Sequence, residues 1–138
     1  MINHLTKPCW LVVALTLPAA CASAGGMRTA PVDAGEAKFY AAPLTVVVPA
    51  AQEAVLSAGL DVDQVSQPDS VTWMIFAEKG SSLFSWGELV RVVAQQTPDG
   101  AAVVVRVLTK RRMATNITAK GDWSGPIFQQ LDSILAAH

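Results

Sequence analysis

Residues 88–109 read ELVRVVAQQTPDGAAVVVRVLT, and this stretch decides the fold. Two Val-rich runs, Glu88 to Gln96 and Ala101 to Thr109, flank Pro98-Asp99-Gly100. Pro presets φ for a turn, Asp caps the turn through its carboxylate, and Gly takes the positive φ that other residues resist. The unit is therefore predicted to be a β-hairpin, and its strands antiparallel. Side chains alternate along a strand, so Val103, Val105 and Val107 take one face and Val104, Arg106, Leu108 and Lys110 the other. Leu89, Arg91, Val93 and Gln95 join the second set. That face is too apolar for a purely solvating surface, and such faces commonly bind something.

Working outward, Leu60 to Val65 and Val71 to Glu78 form a second predicted hairpin around Ser66-Gln67-Pro68-Asp69-Ser70, all turn formers. A strand is expected near Phe39 and Tyr40, and a short last one over Asn116 to Lys120. Leu44, Val47, Val48, Ala51, Val55 and Ala58 recur at spacings of three and four, which predicts a helix stopped by Gly59. Pro49 is tolerable there only in the first turn, with Thr45 as N-cap. A second helix opens at Gly125-Pro126 and places Ile127, Phe128, Leu131, Ile134 and Leu135 along one side. Short connections and two amphipathic helices point to an α+β domain: an antiparallel sheet of about five strands with two helices packed on one face.

The chain has 138 residues, 10 Lys plus Arg against 11 Asp plus Glu, and a formal charge of -1. That balance argues against nucleic acid as a partner. A hydrophobic share of 51% with 15% charged residues is that of a packed core rather than a disordered chain. Of the two cysteines and two histidines only His138 lies beyond residue 21, so the body offers no disulfide, no metal site and no imidazole or thiol catalyst. No cofactor is expected.

The first 24 residues have the make-up of an export signal. One cation, Lys7, precedes the uncharged run CWLVVALTL at 9–17, and Pro18 then introduces a string of small residues. Such a run spans about 14 Å as a helix, under half of a roughly 30 Å bilayer core. Two cleavage readings compete. Leu17-Pro18-Ala19-Ala20-Cys21 resembles a bacterial lipobox, in which Cys21 is acylated and becomes the anchored N-terminus, although the position three before the cysteine is Pro18 rather than Leu. Alternatively Ala22-Ser23-Ala24 fits the A-x-A rule, with a cut before Gly25 and loss of Cys21. Residues 25–36, rich in Ala, Gly and Pro, read as a flexible tether to a single domain over 37–138. The expected location is outside the cytosol, in the periplasm or on the outer envelope.

Phe84-Ser85-Trp86-Gly87-Glu88 at the start of a Val-rich strand, Lys110-Arg111-Arg112, and Gly121-Asp122-Trp123-Ser124 before a terminal helix together resemble a class of small exported bacterial proteins and lipoproteins of unknown function. The resemblance implies a helix-grip or TBP-like α+β domain and carries no catalytic residues.

Candidate chemistry is sparse. Asp61 and Asp63, two apart, would share a strand face as an acid–base pair, but a solvated strand start explains them better. An enzyme would need one of Asp61, Asp63 or Glu88 buried with a raised pKa. Lys110-Arg111-Arg112 reads as a solvated strand end, and Trp73, Trp123, Phe76 and Phe128 as core filling. Leu83, Phe84 and Trp86 stand out, because they sit in a predicted loop beside Gly80 and Gly87, where aromatics are costly unless a partner covers them. The expected function is a non-enzymatic exported or lipid-anchored module that binds a protein or surface through that loop and the second sheet face. The alternative is a carrier with an apolar ligand between sheet and helices, which needs a cavity of roughly 300 Å³ or more.

Overall fold

The computed structural model describes residues 23–81, 87–112 and 121–138. The elements in chain order are α1 (Ala24–Arg28), β1 (Glu36–Tyr40), α2 (Leu44–Ser57), β2 (Asp61–Asp69), β3 (Thr72–Lys79), β4 (Glu88–Gln96), β5 (Val103–Arg111) and α3 (Ser124–Ala136). All five strands form one antiparallel sheet in the order β1-β5-β4-β3-β2. Helix α2 thus carries the chain from one sheet edge to the other, after which β2 to β5 follow as a meander. The expected strand at 116–120 lies outside the described residues.

Helices α2 and α3 pack side by side on one face, as the spacing of their apolar residues requires. Val47, Ala51, Ala54 and Val55 of α2 and Ile127 and Leu131 of α3 are fully buried against Ile75, Val90, Val92, Val105 and Val107. The β4–β5 turn is built as its residues dictate. The Thr97 hydroxyl and the Ala101 N–H donate to the Asp99 carboxylate, and Gly100 takes φ 70°.

Three local expectations are corrected. Helix α2 begins at Leu44 with Pro43, not Thr45, as its N-cap, so Pro49 falls in the second turn rather than the first. Strand β2 extends through the stretch expected to turn, to Asp69. Its Pro68 is accommodated because β2 is an edge strand, and the reversal is confined to Ser70-Val71, with the Val71 N–H donating to Asp69 Oδ1. The third concerns residues 25–36, expected to be a flexible tether. Residues 24–28 form α1, Met27 is 2% exposed, and Glu36 already belongs to β1. The segment lies on the sheet face that the other two helices leave open.

Candidate functional site

That second face is organised around Arg91. It stands mid-strand in β4 between Val90 and Val92, both directed at the helix layer, so alternation turns Arg91 away from them. It is nonetheless fully buried. Its guanidinium donates from Nη1 to the carbonyls of Met27 (3.1 Å) and Ala30 (2.6 Å), and from Nη2 to that of Pro31 (2.6 Å). Among the described residues no carboxylate forms an ion pair with it. The charge is held instead by one carbonyl from the last turn of α1, Met27, where helix carbonyls lack internal partners, and by two from the loop that follows it, Ala30 and Pro31. Removal from water pulls the guanidinium pKa below its usual value.

The segment from Ser23 to Gly35 acts as a strap. The Ser23 hydroxyl oxygen accepts from the Gly26 N–H at 3.0 Å and caps α1. Arg28 bonds Gln64 Oε1 on β2, stands 3.8 Å from Asp63, and lies over the Phe76 ring on β3. At the other end Gly35, at φ 108°, approaches so closely that a Cβ there would meet the Val107 carbonyl at 2.3 Å. Val93, Leu89, Phe76 and Val104 on this face are buried. A cavity of about 230 Å³ remains beside the strap, lined by Met27, Arg28, Asp63, Phe76, Glu78, Leu89 and Arg112 among others. Arg112 pairs with Glu78 at its rim.

Beyond the strap the same face is open. Phe39 of β1 is 66% exposed and Val71 41%, and with Gln95, Val104, Arg106 and the β4–β5 turn they line a groove of about 610 Å³. Arg106 Nη1 is buried without a hydrogen-bond partner among the described residues. On the helix side the apolar residues of α2, α3 and the sheet form one buried cluster. The groove there, about 390 Å³, runs along the margin between Leu44, Val48 and Pro49 of α2 and Gln67 and Trp73.

Of the residues singled out from sequence, Cys21, Leu83, Phe84 and Trp86 lie outside the described residues. Asp61 and Asp63 are exposed, and a register irregularity between Val62 and Gln64 takes Asp63 out of the alternation that would have paired them on one face. Glu88 is 3% exposed, but its carboxylate has a structural partner, accepting from the Gly121 N–H at 3.1 Å. This bond joins two of the quoted motifs. The Gly121-Asp122-Trp123-Ser124 motif is itself a helix-opening device: Asp122 accepts from the Ser124 N–H and hydroxyl, while the Trp123 side chain enters the core and the Trp123 backbone N–H donates to the Thr109 hydroxyl. Trp73 and Phe128 are partly buried against the core.

Among the described residues no cluster of three His, Cys, Asp or Glu could hold a metal, and no helix is long and apolar enough to cross a membrane. Comparison with known proteins finds no family model and no curated relative that matches this chain.

Proposed function

We propose that this protein is a non-enzymatic exported module, lipid-anchored through Cys21, that binds a protein of the cell envelope. The carrying observation is an asymmetry. The helix side of the sheet is covered by α2 and α3 over a buried apolar cluster, whereas the second face leaves Phe39 and Val71 in water next to Arg106. An exposed apolar pair beside the half-buried Arg106 cation suits a protein surface that presents apolar side chains and a carboxylate. The export reading rests on the composition of residues 1–24, and the loop residues Leu83, Phe84 and Trp86 are offered to the same partner.

The test has two arms. Cys21→Ala should move the protein from the membrane fraction to the soluble periplasm, with loss of the acyl mass. Phe39→Ser and Trp86→Ala should each abolish capture of a specific envelope protein while leaving the melting temperature near wild type. Unchanged capture by both folded variants would contradict the binding surface, and an unchanged membrane fraction for Cys21→Ala would contradict the anchor. The carrier reading would gain if an apolar probe bound with saturation at one site and Trp73→Ala removed it.

A further inference from the structure

The groove between α2 and the β2–β3 turn differs in one respect from the two cavities on the second face. No ionisable side chain lines it, whereas Arg28, Asp63, Glu78 and Arg112 line one of those and Asp99 and Arg106 the other. We propose that this groove binds a neutral saccharide, with Trp73 as the surface on which a sugar ring stacks and Thr45, Gln52, Gln67 and Ser70 as its hydrogen-bonding partners.

Spacings of four and three along α2 bring Thr45, Pro49 and Gln52 to one side of the helix, and the end of β2 with the reversal after it supplies Gln67 and Ser70. Trp73 has the parity of Ile75 and Ala77 on β3, so it too faces the helix layer, where it is only half-buried. Among the described residues none of the four polar side chains makes an intramolecular hydrogen bond. Pro49 also withholds from the Thr45 carbonyl the N–H that a continuous helix would supply. Two primary amides, two hydroxyls and that carbonyl together offer both donors and acceptors. A sugar matches this set, because each hydroxyl donates and accepts while the C–H face of the ring is apolar enough to lie on an indole. A purely apolar ligand would leave the same groups desolvated and unpaired. A charged ligand would meet no counter-charge, and a proline-rich peptide needs a groove lined by several aromatics. The volume of about 390 Å³ lies within the roughly 300–1,000 Å³ of small-ligand sites. Phe39 is on the opposite side of the sheet, so this site stands or falls apart from the protein-binding surface.

The test is two-dimensional NMR of the isotope-labelled full chain, titrated with cellotetraose, maltotetraose and tetra-N-acetylchitotetraose. Tetragalacturonate, a proline-rich peptide and N-phenyl-1-naphthylamine serve as the charged, peptide and apolar comparisons. At least one neutral tetrasaccharide should shift the Trp73 indole N–H and the Gln52 and Gln67 amide signals with saturation. Trp73→Ala and the double variant Gln52→Ala/Gln67→Ala should each weaken that binding at least about tenfold, and Phe39→Ser should leave it unchanged. Pro49→Ala returns a donor to the Thr45 carbonyl and should weaken it about threefold. Should Trp73→Ala fail to fold, the glutamine variant decides, because it alters only side chains without internal hydrogen bonds. No saturable shift with any of the three tetrasaccharides, tighter binding of a comparison ligand, or undiminished binding by the folded glutamine variant would overturn the proposal.

Discussion

Arg91 is the residue on which the second face turns. A buried guanidinium without a carboxylate is stable only where other acceptors replace water, and three backbone carbonyls of the strap do so. Arg91→Ala should therefore cost about 2–4 kcal/mol, the range for leaving buried polar groups unpaired, read as a lower urea midpoint. Arg91→Met refills the volume and should recover part of that stability without restoring the strap. Equal stability of all three proteins would contradict the role. Asp132 gives a pH-dependent check. The Lys38 ammonium and then the Tyr40 hydroxyl hold its carboxylate below the ordinary value of 3.8, while Tyr40 is pushed up by burial and by this contact. A depressed carboxylate stabilises the fold above its unfolded pKa, and the contribution fades as pH falls through the lower folded value. Asp132→Asn should thus be less stable than wild type at pH 7 by under about 1 kcal/mol, as for exposed pairs, with the gap closing below pH 3.8. A gap that widened in acid would reverse the sign.

Two elements carry local costs. Pro49, inside α2, removes an N–H that would have bonded the Thr45 carbonyl. Pro49→Ala should raise stability by about 1–2 kcal/mol, less than the roughly 3 kcal/mol interior penalty because the surrounding packing is already adapted to it. A lower melting temperature would show that Pro49 is needed against the neighbouring groove. The strap's last turn is more demanding. For comparison, Gly59→Ala just past the end of α2, at φ 87°, meets only the Lys79 Nζ at 3.8 Å and should cost about 1–2 kcal/mol from the backbone alone. Gly35→Ala adds a backbone clash and should cost clearly more in the same denaturation assay. The β4–β5 hairpin was legible because its turn residues and strand alternation agree, and α3 because its stripe is uninterrupted. The start of α2 and the extent of β2 were not, since Pro49 and Pro68 look like breakers until sheet position and packing are known. The strap was hidden because Ala, Gly and Pro give no periodicity. The local signal was on the other partner: a lone Arg amid Leu89-Val90 and Val92-Val93.

At the scale of the molecule, the sheet is covered by two helices on one side and by a strap over part of the other, so residues 23–36 pack with the body formed by 37–138. Only Ala22 then separates Cys21 from the α1 cap, and a chain of two or three residues spans about 7–10 Å. A lipid on Cys21 would hold the strapped face close to the bilayer instead of suspending the domain from a long linker. The end with Phe39 and Val71 stays exposed, where the proposed partner would bind. All of this depends on the strap being part of the fold, and amide hydrogen exchange of a chain retaining Ser23 measures that directly. The Met27 and Thr29 amides, bonded to Ser23 and Gly25, should exchange at least about tenfold more slowly than an unfolded chain. Arg91→Ala should abolish that protection while Val92 in β4 stays protected. Exchange of both amides at unfolded-chain rates in the unaltered protein would contradict the account and restore residues 25–36 to a free linker.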